Sequence, residues 1–403
     1  MSQGNAADSP PRATWLFESH ARRVRPELLA DFAGWRLPLW FEGAVAEHRA
    51  VRRAVGVFDA AHMGMLDVRA PAEALDALCT NRLSDLKTGR SRYGFLLGED
   101  ARPIDDVIVY RRGPDRFLVV SNAANAEAVC VHLKGRIPGV SVENLRDVPG
   151  DKGLANVPVQ GPATRSLLPR VLGDVSLESR LSALPRGGFF AAAFQGAEVL
   201  LSRTGYTGEP WGFEVFVPPS RIEALWDALI VAGAVPCGLA ARDSLRVEAG
   251  LPLFGHEIAG PHGLDPIEAG FGKFVRTERA FLGREALLAR PRARELVRFA
   301  LAPASRKAKP NDRVVDARGR IVGIVTSCAL AASRWIGLAF VLSGSFRPLD
   351  RAFVAAIPER DPGPPKPLQA LQIGDRIALP LEAEIRTRFP DPSELAENLG
   401  PAA

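Results

Sequence analysis

The stretch RYGFLLGEDARPIDDVIVYRRGPDRFLVVS, residues 92–121, constrains the fold more than any other part of the chain. Three apolar runs are separated by turn clusters at Gly98–Asp100 and Gly113–Asp115, a pattern that reads as three strands. The middle run opens with adjacent acids, Asp105 and Asp106. Neighbours on a strand point to opposite faces, so the two are not expected to form a carboxylate dyad. Val107, Val109 and Arg111 share a face with Asp105, and Ile108 and Tyr110 share one with Asp106. Charge is kept out of interiors unless it is paired or functional, so the pair reads either as strand-edge residues or as part of a site.

Helical spacing surrounds this sheet signal. FEGAVAEHRAVRRAVG (41–56) reads as a helix closed by Gly56, and VFDAAHMGMLDVRA as strand, tight turn, strand. Asn122 and Asn125 are placed to cap a helix over AEAVCVHLKGR, and PPSRIEALWDALIVAG is strongly amphipathic. Near residue 290 the texture changes to short strands with glycine turns, the signature of a small β-barrel or sandwich. At 403 residues the chain exceeds one ordinary core. The expected layout is a polar leader over 1–14, an α+β body over 15–290 and a β-domain over 291–395 with a Pro-rich insertion at 358–367.

Several function classes are excluded. There is no P-loop, no GxGxxG after a strand, no GxSxG elbow and no HExxH, and the six histidines show no ligand spacing, so no metal is expected. Four dispersed cysteines fit a reducing cytoplasm. No apolar run approaches the roughly 18 residues that span a bilayer. The net charge of +5 is spread along the chain without an aromatic-interleaved basic groove, which argues against nucleic acid.

Two further segments carry candidate chemistry. In SRTGYTGEPWGFEVF (202–216), Gly205, Gly208 and Gly212 imply special backbone angles or close approach. Glu209 falls in the turn and is expected to be solvated. Glu214 enters a strand and reads either as a surface residue or as an acceptor for the paired N–H donors of a heterocycle such as a pterin. In GLAARDSLRVEAGLPLFGHEI (238–258), Arg242 and Asp243 read either as helix-end charges or, for the arginine, as a clamp for a ligand carboxylate.

Taken with DFAGWRLPLWF, HRAVRRAVGVFDAAHMG, TNRLSDLKTGRSRYGFLL, FLVVSNAAN, VQGPAT and PIEAGFGKFV, these segments, in unbroken order from residue 15 to about 340, resemble the folate-dependent aminomethyltransferase family, the T-protein of the glycine cleavage system. The resemblance implies a three-domain clover-leaf around a folate pocket, with two interleaved subdomains in the body and a C-terminal β-barrel. It implies Asp106 as the catalytic carboxylate, Glu214 as the grip on the pterin edge, Arg242 and Tyr206 as pocket residues, and Met63, Tyr93 and Asn122 as further pocket positions. It implies tetrahydrofolate as one-carbon acceptor and lipoylated H-protein as a transient partner, with no metal and no flavin. Where members carry TSGTFSPTLG this chain has TSCALAASRWIG, and where the resemblance implies a ligand-contacting tyrosine near the C-terminus, Phe389 in RTRFPDP is the candidate stand-in. These departures keep open another tetrahydrofolate-dependent one-carbon transferase, an O- or S-demethylase. A non-catalytic folate-binding helper would carry KGCYxGQE where this chain has SRTGYTGEPWGFE.

Overall fold

The computed structural model describes residues 10–303, 305–331, 333–355 and 381–397. The Pro-rich insertion at 358–367 and residues 1–9 of the expected leader lie outside the described residues. Within the remainder of that leader, β1 (Arg12–Ala13) pairs with a strand of the body.

A small sheet of order β1-β3-β2 comes first, with α1 (Phe17–Ala21), β2 (Leu29–Phe32) and β3 (Trp35–Pro38). Then α2 (Ala44–Arg53) leads into β4 (Gly56–Phe58). Next come β5 (Gly64–Arg69), α3 (Ala72–Asp76), β6 (Arg90–Leu97), β7 (Pro103–Arg111), β8 (Arg116–Ser121), α4 (Ala126–Arg136) and β9 (Ser141–Asn144). Their strands form a five-stranded sheet, β6-β7-β8-β5-β9. The next run is β10 (Ala155–Gln160), α5 (Thr164–Leu172), α6 (Leu177–Ala183), β11 (Phe189–Phe194), β12 (Ala197–Ser202), β13 (Gly212–Val217), α7 (Pro219–Val231) and β14 (Val235–Cys237). With β4 these strands build a six-stranded sheet, β11-β12-β13-β10-β4-β14. After α8 (Leu239–Glu248) and α9 (Arg284–Ala289), six strands close a barrel. They are β15 (Arg294–Leu301), β16 (Arg313–Val315), β17 (Ile321–Ala331), β18 (Arg334–Leu342), β19 (Arg351–Ala355) and β20 (Leu381–Arg386), followed by α10 (Pro392–Glu397).

The five- and six-stranded sheets each bury one face under helices and turn the other toward a shared core. Val107 and Val109 of β7 pack with Val129 and Leu133 of α4. On the opposite face Tyr110 joins Met65, Leu118 and Val120, which meet Leu200 and Phe216 of the six-stranded sheet. Each such side chain contributes about 1.5–3 kcal/mol on burial, and a one-residue slip would exchange the faces. Register is therefore strongly specified on β7, the strand that carries both candidate acids.

Gly56 does not close α2, which ends at Arg53. It lies in β4, where a Cβ would come within 2.4 Å of Val51 and 2.7 Å of Cys237, so close packing explains the glycine. Residues 326–331 of the TSCALAAS segment lie in β17, where Thr326, Ser327 and Cys328 are buried.

Two buried ionic networks fix α8. On one side Glu248 meets His48 at 3.1 Å and Arg52 at 2.8 Å, both from α2. On the other, Arg246 pairs with Glu257 at 3.0 Å and donates to Ser327 of the barrel at 2.8 Å. Burial alone would raise the Glu248 pKa, but its bonds to His48 and Arg52 hold it down to about 2. A carboxylate depressed in the folded state stabilises the fold above its unfolded pKa, and that contribution disappears as pH falls from 4.5 toward 2. Its size is on the order of 3 kcal/mol. Thermal unfolding followed between pH 7 and 2.5 should show a loss of stability below pH 5 that is shallower in Glu248→Gln. Equal slopes in the two proteins would remove this account.

Candidate active site

Asp106 occupies the inner face of β7 and stays half-buried between the fully buried Val107 and Asp105. Its Oδ2 accepts from the Tyr93 hydroxyl at 2.7 Å, and its Oδ1 accepts from Asn122 Nδ2 at 2.6 Å. Tyr93 is held by edge contacts to Phe95, Phe271 and Phe274, with centroids 5.3, 5.5 and 4.7 Å away. Burial raises the Asp106 pKa above the ordinary carboxylate range, and the bonds from Tyr93 and Asn122 only partly offset it.

Asp105 points to the opposite face, as strand alternation requires, yet the two acids are not separate. Asn122 Nδ2 also donates to Asp105 Oδ1 at 2.8 Å, so one amide bridges both carboxylates. Alternation governs the strand itself; a residue beyond the end of the neighbouring strand can reach around to both faces. Asp105 further accepts from Asn122 N at 2.9 Å and Asn125 Nδ2 at 2.7 Å. These two asparagines make no side-chain caps on α4.

At the other end of the same face, Tyr110 points toward Glu214. Asp106 and Tyr110 are four residues apart, a strand distance of about 13 Å. Glu214 alone in β13 is half-buried. Its Oε1 accepts from Asn156 Nδ2 at 2.6 Å. Its Oε2 accepts from the Thr204 hydroxyl, and from Tyr110 in a long contact of 3.5 Å. A carboxylate has about four acceptor positions, so this one retains capacity for a ligand.

Between the two ends lie Tyr206 and Arg242. The Tyr206 hydroxyl donates to the Pro252 carbonyl at 2.5 Å, and the Arg242 guanidinium stands 5.1 Å from its ring centroid. The Asp106 charge is close enough to raise the Tyr206 pKa, after the larger effect of burial. The Arg242 backbone N–H donates to the Gly238 carbonyl at 3.1 Å, but among the described residues nothing accepts from its guanidinium, and burial lowers its pKa against the pull of Tyr206 and Glu214. His62 beside it is pushed down to about 4, first by burial and then by the Arg242 charge, so it stays neutral. Met63 packs on the inter-sheet core of Met65, Tyr110 and Phe216.

The glycines of the loop before β13 have a physical cause. A Cβ on Gly205 or Gly212 would fall 2.0 or 2.3 Å from Gln160 Oε1. That amide pins the loop, with Nε2 donating to the Phe213 carbonyl at 2.9 Å and Oε1 accepting from Thr207 at 2.8 Å. Gly208 takes φ +82°, which favours glycine. Glu209 is not solvated; it pairs with Arg52 at 2.6 Å. Trp211 is stacked between Arg165 and Arg203, at 3.7 and 3.8 Å. Phe389 lies flat on Phe271 at 5.8 Å, one ring behind Tyr93.

The seven residues singled out from sequence thus gather around one region, joined by contacts or by mutual electrostatic effects. Asn156, Thr204 and Tyr110 belong to it as well. One signal pointed to Tyr110: the chain has three tyrosines, and all three are here. Asn156 and Thr204 carried no comparable mark. Among the described residues there is no cluster of His, Cys, Asp and Glu that could hold a metal ion, and no helix long and apolar enough to cross a membrane.

Residues 27–279 match the family model of the GCVT N-terminal domain. The chain is 41% identical over 342 residues to an aminomethyltransferase of Thermus thermophilus, covering 84% of this chain and 93% of that one. It is 39% identical over 334 residues to an aminomethyltransferase of Saccharopolyspora erythraea, covering 80% and 87%. The crystal structure of glycine cleavage system aminomethyltransferase T from Bartonella henselae superposes with a TM-score of 0.75 at 28% identity, covering 93% of this chain and 97% of that one. With the barrel, the paired sheets and the carboxylate-lined region between them, these matches show that the chain belongs to the GCVT family, the glycine cleavage T-protein aminomethyltransferases.

Proposed function

We propose that the chain transfers the aminomethyl carbon carried on the lipoyl arm of H-protein to tetrahydrofolate, releasing ammonia and forming 5,10-methylenetetrahydrofolate. The observation that carries this reading is the placement of two half-buried carboxylates, Asp106 at one end of the inner face of β7 and Glu214 of β13 against Tyr110 at the other, with the Arg242 guanidinium beside Tyr206 and within reach of the Glu214 charge. This donor and acceptor set fits a folate. Glu214 has acceptor capacity for the paired N–H edge of the pterin, Tyr206 and Met63 supply wall, and Arg242 suits an electron-rich or anionic part of the ligand.

The protons balance simply. Two leave the folate nitrogens N5 and N10 as the carbon bridges them; one ends on the lipoyl sulfur and one on the departing amine. Asp106, raised in proton affinity by burial, is the group suited to take and return them. Tyr93 and Asn122 hold its carboxylate in place while this occurs.

Glycine cleavage reconstituted with purified H-, P- and L-proteins tests the reading. Methylenetetrahydrofolate formation should depend on this chain. No dependence, in the presence of measurable tetrahydrofolate binding, would transfer the assignment to another one-carbon donor such as an O- or S-methyl compound.

A further inference from the structure

Asp105 is the buried acid that the chemistry above leaves unused. It is fully enclosed, and it faces away from the ligand region into the core beneath α4. Three N–H donors converge on it, two from Asn122 and one from Asn125. A core position held only for packing would take an apolar residue, since burying a carboxylate is costly unless its charge is used. The Asn122 amide then continues to Asp106 Oδ1 at 2.6 Å, so the rotation of that one side chain is shared between the two acids.

We infer that Asp105 and Asp106 act as one acid–base unit joined by the Asn122 amide, with Asp105 the positioning residue that sets the proton affinity of Asp106. This rests on the catalytic role proposed for Asp106. Two carboxylates this close do not both ionise freely: the charge of one raises the proton affinity of the other, and the protons leave in two steps that belong to the pair. Burial and then the Asp106 charge push Asp105 up to about 7, opposed by the bonds from Asn122 and Asn125. The groups that face the pair are Tyr93 from β6, Asn122 and Asn125 from the turn after β8, and Tyr206 from the loop before β13. Among the described residues no arginine, lysine or histidine forms an ion pair with either acid, so nothing cationic cancels the mutual repulsion.

The consequence is a base tuned to neutral pH. When both acids are ionised, their repulsion raises the pair's affinity for a proton, whichever carboxylate receives it, enough to take one from a weakly acidic ammonium-like nitrogen. Replacing Asp105 by asparagine removes that charge and leaves Asp106 a weaker base.

Two measurements test this. Carboxyl carbon-13 NMR of aspartate-labelled wild-type protein should show one buried pair titrating in two steps, the upper near neutrality, and the upper step should vanish in Asp106→Asn. In steady-state assays, the acid limb of kcat/KM for Asp105→Asn should lie at least one pH unit below the wild-type limb, with kcat lowered and the KM for tetrahydrofolate little changed. Independent single-step titration of both acids, or an unmoved limb in a folded Asp105→Asn, would overturn the inference. The NMR result needs no turnover. A joint titration in a protein inactive in glycine cleavage would therefore sink the proposed function while leaving the pair intact.

Discussion

Asp106→Asn should abolish turnover, by about a thousandfold or more, while tetrahydrofolate still binds within a few-fold of the wild-type affinity. Asparagine has the volume of aspartate and can still accept from the Tyr93 hydroxyl, so the wall of Tyr93, Phe271 and Phe274 has no reason to move. What it lacks is a site that takes up and gives back a proton. Buried as it is, Asp106 has a raised proton affinity, the property a base needs to serve a nitrogen nucleophile at neutral pH. Calorimetric titration with tetrahydrofolate, followed by the glycine cleavage assay, separates the two effects. Near-normal activity in this variant would refute the mechanism.

Glu214→Ala has the complementary outcome. Affinity for tetrahydrofolate should fall about 10- to 100-fold, as expected when a charged hydrogen-bond partner is lost, with kcat at saturating folate much less affected. The substitution strands the ligand's N–H edge, and it also leaves the Asn156 amide and the Thr204 and Tyr110 hydroxyls without their acceptor. A Glu214→Gln variant separates these causes: glutamine returns one acceptor but places an N–H against donors, so its affinity should lie no higher than that of the alanine form. Unchanged binding in both variants would show that the pterin edge is gripped elsewhere.

Much of this site was legible in the chain because strand periodicity is local. Alternation along IDDVIVY separated Asp106, Ile108 and Tyr110 from Asp105, Val107 and Val109, and the two cores observe that division. The glycines around Tyr206 announced close approach, and Gln160 is what approaches. The misreadings share a physical reason: each residue has a partner far along the chain that no local rule could name. Asn122 and Asn125 carry the composition of helix caps, but acids 16 to 20 residues earlier outcompete the helix end for their amides. Glu209 looks like a turn residue until Arg52, 157 residues away, is folded against it. Gly56 looks like a helix stop until Cys237 is packed onto it.

Strand β7 sets how far apart the two ends of the site stand. Because Asp106 and Tyr110 share its face, it is a ruler graduated in pairs of residues, against which the ligand of the proposed function would be measured at both ends at once. Inserting or deleting one residue between them would turn one end inside out, whereas inserting two would keep the faces and lengthen the gauge. On the proposed function, this strand would therefore hold the chain to a single length of acceptor while leaving distant loops free to change the partner that brings the carbon.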